Sequence, residues 1–71
     1  MPKAIHSVAD IGALVRATRK GLKMSQAEFA DLAGVGRRFV SELEAGKATL
    51  EAGKLLVVVA AAGINLVALD R

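Results

Sequence analysis

The chain predicts a mainly α fold, four short helices followed by one β-strand, in a single domain covering residues 1–71. Three observations carry this reading. Residues that suit helix N-caps (Ser7, Ser25, Gly36 and Thr49) stand ahead of four apolar-periodic segments. Glycines stand just behind those segments, at Gly21, Gly34, Gly46 and Gly63. The last apolar segment, Ile64 to Leu69, is rich in branched residues and lacks a cap.

The first helix is expected from Val8 to Lys20, opened by Ser7 with Asp10 and ended by Gly21, with Ile11, Leu14, Val15 and Thr18 as its inner stripe. Arg16, Arg19, Lys20 and Lys23 crowd its end, where cations complement the helix dipole. Contact with phosphate is the alternative for these four, and Lys23 is a candidate backbone contact. The second helix begins with a capping box: the Ser25 oxygen takes the Glu28 amide and the Glu28 carboxylate returns to the Ser25 amide. Met24 and Phe29 sit at the positions of a hydrophobic staple. Phe29, Leu32 and Ala33 are expected to form the inner face, with Asp31 outside. Gly34 stops this helix because it adopts a left-handed conformation without steric cost. The third helix starts at a Gly36 cap, with Val35 stapled to Val40; Val40 and Leu43 point inward, Arg37, Arg38, Ser41 and Glu42 outward, and Gly46 ends it. Two helices joined by so short a turn cross steeply and leave the second free to enter a DNA groove, as a helix-turn-helix over residues 25–45 does.

Thr49 is the expected cap of a fourth helix from Leu50 to Ala62, with Glu51 in its first turn. Every residue from Leu55 to Ala62 is apolar. A helix apolar all round in so small a domain needs a second surface beyond its own core. The closing strand has no visible partner in the chain, and a lone strand is unstable. The same strand of a second copy, antiparallel about a two-fold axis, is the simplest partner. A homodimer is therefore expected through residues 50–69, using Leu56, Val59, Ala60, Ile64, Leu66, Val67, Ala68 and Leu69.

The segments Gln26-Ala27-Glu28-Phe29-Ala30 through Gly34 and Val40-Ser41-Glu42-Leu43-Glu44-Ala45-Gly46-Lys47 resemble the Cro and phage-repressor (XRE) helix-turn-helix family. The likeness runs from Ile11 to Ile64 and implies a four-helix, lambda-repressor-like domain. Within that family the chain is most similar to HipB-type antitoxins, through Arg37-Arg38-Phe39-Val40-Ser41-Glu42-Leu43-Glu44 and the final apolar segment. The resemblance implies a sequence-specific repressor of an inverted-repeat operator that is also the autoregulating antitoxin of a HipA-like toxin kinase. It further implies a structural ion pair between Arg19 and Glu44, a phosphate contact from Gln26 and a backbone contact from Lys47. Two positions depart from the family pattern. Gly36 replaces a Ser or Thr and Ala45 a polar residue, each removing a candidate phosphate contact.

On the third helix, the forked, permanently charged side chains of Arg37 and Arg38 suit the O6 and N7 acceptors of guanine, with phosphate contact as the alternative. Ser41 can donate to base or phosphate. Glu42 can accept from cytosine N4 or orient an arginine. Phe39 either packs inside the unit or lies against sugar and thymine methyl, as a further candidate backbone contact.

Composition narrows the alternatives. A chain of 71 residues buries only about 60% of its unfolded surface, so oligomerisation is a common aid to stability. It has no cysteine and a single histidine, His6, which argues against disulfides and metal sites. No cofactor is expected. No nucleophile–base set or glycine-rich phosphate loop is present, so an enzyme is not expected. Residues 1–47 hold eight Lys or Arg against five Asp or Glu, whereas residues 48–71 hold two of each, which places the positive excess with the DNA-reading segment. The longest apolar run, eight residues, is too short to span a bilayer, and no signal-like stretch opens the chain; a cytoplasmic location is the default expectation. A stand-alone phage-type or metabolic repressor without a toxin, and a protein-binding adaptor that kept the fold, are the competing functions. The paired arginines speak against the adaptor.

Overall fold

The computed structural model describes residues 4–67. Its helices run in the order α1 Val8–Gly21, α2 Gln26–Ala33, α3 Arg37–Glu44 and α4 Ala52–Ala61. α1 and α2 both pack on α3, and α4 closes the bundle against α2 and α1.

α1 opens as the sequence predicts. Ser7 Oγ accepts the Asp10 amide at 3.3 Å, and Asp10 Oδ2 accepts the His6 amide at 2.8 Å. Val15 is fully buried, flanked by half-buried Ile11, Leu14 and Thr18. Its end differs from expectation. Gly21 is still helical, and Lys23 takes the left-handed position with φ 58°. The Met24 amide then donates back to the Arg19 carbonyl at 3.2 Å and the Lys23 amide to Lys20 at 3.0 Å, which closes a Schellman motif. The reason is tertiary. The Arg19 guanidinium holds the Met24 carbonyl at 2.8 Å, so the turn falls where that bond requires.

The Ser25–Glu28 capping box forms in both directions, at 3.1 and 2.8 Å. α2 ends at left-handed Gly34, φ 78°, with the Val35 amide on the Ala30 carbonyl at 3.0 Å. Leu32 is a correction: it is 59% exposed rather than part of the inner face. Phe29 and Ala30 are buried and Ala33 is half-buried, and Leu32 lies roughly 100° around the helix from the centre of that stripe. α3 begins at Gly36, in extended conformation and without a side-chain cap bond, and buries Val40 and Leu43.

The start of α4 is a second correction. Glu51, not Thr49, is the N-cap, and the helix begins at Ala52 rather than Leu50. Two carboxylate oxygens accept the Gly53 and Lys54 amides at 3.0 and 2.9 Å, satisfying two donors where a threonine hydroxyl satisfies one. Past α4 the Ile64 amide donates to the Val59 carbonyl at 3.1 Å, and Ile64 packs on the core. Among the described residues there is no strand: positions 64–67 have no regular structure, and Ala68 and Leu69 lie outside the described residues.

Val15, Phe29, Ala30, Val40, Leu43 and Val58 form one core, with Val59 3% exposed beside them. Val59 is thus buried within its own chain and is not available as a dimer contact. It shares with Leu55, Val58 and Ala62 the α4 stripe that faces inward. Leu56, Val57, Ala60, Leu66 and Val67 remain exposed. Among the described residues no helix is long and apolar enough to cross a membrane.

One contact was not anticipated. α1 lies so close to α3 at Gly12 that a Cβ there would overlap the Leu43 carbonyl oxygen and sit 2.9 Å from its carbon. Gly12 is buried, and it sets the distance between these helices.

Candidate nucleic-acid interface

α3 is two-faced. Val40 and Leu43 are buried, while Arg37 and Arg38 are exposed on its first turn and Ser41 and Glu42 are half-buried one turn on. With side chains at these spacings on one stripe, the four residues assigned from sequence to base contact share the outward face. Among the described residues Arg37 has no ion-pair partner. Arg38 Nε lies 3.7 Å from Glu42 Oε2, and its side chain is 88% exposed. Phe39 is half-buried against the core, so only its exposed part remains for sugar or thymine methyl.

The end of α3 is braced by a largely buried ion pair. Arg19 Nε and Nη2 donate to the two Glu44 oxygens at 2.7 and 2.9 Å. With the bond to Met24, one guanidinium joins α1, the turn before α2 and the last residue of α3. Burial works against the Glu44 carboxylate. Hydrogen bonds from Arg19 and Gln26 and the charges of Arg19 and Arg16 outweigh it, leaving its pKa below the ordinary value. The Glu44 bond in turn raises that of Arg19.

Gln26, on the first turn of α2, donates from Nε2 to Glu44 Oε1 at 3.2 Å. That bond fixes its carboxamide and, among the described residues, leaves the other N–H and the oxygen unused. Arg16, Gln26, Ser41 and Ala45 border one open, polar groove whose floor is the Arg19–Glu44 pair. Lys47, half-exposed just past α3, donates to Glu42 Oε2 at 3.0 Å. Lys23 is exposed at its left-handed turn.

Two features escaped the sequence reading. Gly12 carried a local signal: a glycine inside a helix costs about 1 kcal/mol relative to alanine, and so suggests close backbone approach. The Lys47 contact to Glu42 had none: Arg38 stands at i,i+4 spacing from Glu42, as arginine orientation allows, but Lys47 is brought back only by the turn at Gly46.

A capped helix, a glycine turn and an arginine-bearing helix with one face free are the working parts of a DNA-reading helix-turn-helix. The chain belongs to the HTH_3 helix-turn-helix family, whose pattern matches residues 15–69. It is also 50% identical, over 66 residues, to the uncharacterized HTH-type transcriptional regulator y4mF of Sinorhizobium fredii (strain NBRC 101917 / NGR234), covering 93% of this chain and 87% of that protein.

Proposed function

We propose that the chain is a sequence-specific transcriptional repressor that binds an inverted-repeat operator as a homodimer. The observation that carries this reading is α3 itself: two exposed arginines on the first turn of a helix whose other face is anchored by Val40 and Leu43. The likeness to an HTH-type transcriptional regulator supports it. Arg37 and Arg38 read base edges, with Ser41 and Glu42 beside them. Gln26, Lys23 and Lys47 contact the phosphate backbone. The exposed apolar surface of Leu56, Val57, Ala60, Leu66 and Val67 supports self-association, with the dimerisation unit over residues 50–69.

Footprinting of the DNA upstream of its own gene tests this. The expected result is protection of two half-sites about one helical turn, roughly 34 Å, apart. Protection of one unrepeated site would contradict the dimer. Sedimentation of the protein and of a chain lacking residues 64–71 tests the interface directly.

The finer role is that of an autoregulating antitoxin for a HipA-like kinase, which the resemblance of Arg37 through Glu44 to HipB-type antitoxins supports. Affinity purification from the native host should recover a kinase-like protein encoded beside this gene. Its absence would leave a stand-alone repressor.

A further inference from the structure

Glu42 holds two cations on a single oxygen. Oε2 lies 3.0 Å from Lys47 Nζ and 3.7 Å from Arg38 Nε, while Oε1 makes no protein bond among the described residues. The cluster sits on the outward face of α3, with the Glu42 side chain 28% exposed between partners that are 47% and 88% exposed. The carboxylate therefore stands among the groups that must meet DNA, where a negative charge opposes phosphate.

Resting on the DNA-binding reading above, we propose that Glu42 sets the protein's specificity by restraining sequence-independent binding. It does so by withholding Lys47 and Arg38 from phosphate. On arbitrary DNA the cluster presents one net positive charge rather than two, and the carboxylate competes with backbone oxygens for the Lys47 ammonium and, more loosely, for the Arg38 guanidinium. Since non-specific affinity comes from cations displacing counterions, that restraint falls mainly on wrong sequences. On the operator, Arg38 exchanges a loose, long contact for a bidentate base contact that repays the loss. The same carboxylate limits the directions its fork can take, so orientation and restraint come from one residue.

The test compares wild type with Glu42→Gln on operator and on random-sequence duplex of equal length, across a salt series. A thermal melt confirms that the variant folds. Glu42→Gln should bind random DNA about 3–10-fold more tightly near 0.1 M salt, with a salt slope steeper by about one unit. Operator affinity should rise less, so that the specificity ratio falls. The same substitution made in a Lys47→Ala background should gain less on random DNA, because one withheld cation is gone. Equal gains on both DNAs would overturn the proposal, as would an unchanged affinity and slope on random DNA. Loss of preference at one cytosine position, with random binding unaltered, would overturn it in favour of direct base reading. Failure of the wild-type protein to bind any duplex would instead reject the DNA-binding reading, and this inference with it.

Discussion

Replacing Gly12 with alanine should damage the protein more than its single methyl suggests. The new Cβ would overlap the Leu43 carbonyl oxygen and lie 2.9 Å from the Leu43 carbon and 3.2 Å from Glu44 Cα. Carbon pairs rest at about 3.5–4.0 Å, so carbon contact alone demands a retreat of roughly 0.6 Å, and the oxygen demands more. The obstacle is backbone of α3 and cannot rotate away. Overpacking costs about 1–3 kcal/mol, and this site belongs at the upper end. A domain of this size has a total stability of roughly 4–11 kcal/mol, so about 3 kcal/mol is a large share. The corresponding fall in Tm is roughly 12–24 °C. Chemical denaturation followed by far-UV circular dichroism, at fixed protein concentration because self-association adds stability, measures it. Gly21→Ala, on the same helix, is the control: nothing lies within 4 Å of its Cβ position, and it should stabilise by about 0.5–1 kcal/mol. If Gly12→Ala stayed within about 0.5 kcal/mol of wild type, in the range of ordinary surface substitutions, the close approach of α1 to α3 would be refuted.

Three further outcomes are expected. Because the Glu44 pKa is lowered on folding, the carboxylate adds stability above its ordinary value near 4.5 and loses that contribution as pH falls through the folded value; an acid titration of stability should show this limb, and Glu44→Gln should be less stable at neutral pH with a shallower limb. Arg37→Ala and Arg38→Ala should each weaken operator binding by about 1–3 kcal/mol and relax preference at one position per half-site, measured on operator variants. Lys23→Gly should raise stability by about 1 kcal/mol, since a left-handed lysine is replaced, yet weaken binding to all sequences if Lys23 touches phosphate; calorimetry and gel shift at several salt concentrations separate the two effects.

Features decided within a few residues were legible in the sequence. Ser25 with Glu28, and Gly34 as the left-handed exit, need only their neighbours, and the structure places both as expected. The Arg19–Glu44 pair was accessible only through the family resemblance, because the residues come from different helices. Leu32 was misplaced because an apolar residue at helical spacing says nothing about where its stripe is centred; that depends on the partner helices. Thr49 lost to Glu51 in a local competition whose outcome rests on the number of acceptor oxygens. Gly21 lost to Lys23 because the turn answers to a bond from Arg19. On α3 the residues expected to point outward are exposed or half-buried, and Arg38 meets Glu42 at i,i+4 spacing, whereas the second contact to Glu42 depends on the return of Lys47.

The division of α3 into two faces bears on how such a protein diverges. Arg37, Arg38, Ser41 and Glu42 contribute nothing to the core formed by Val40, Leu43 and their neighbours. Substitutions among those four leave the buried contacts intact and lie in the range of ordinary surface changes, about ±0.5 kcal/mol. Gly12 and the Arg19–Glu44 pair meanwhile hold the helix at one depth and one bearing, whatever its outer side chains are. With α3 reading DNA as proposed, a lineage can exchange one operator for another through a few codons without first acquiring spare stability, while the scaffold behind them stays under constant constraint.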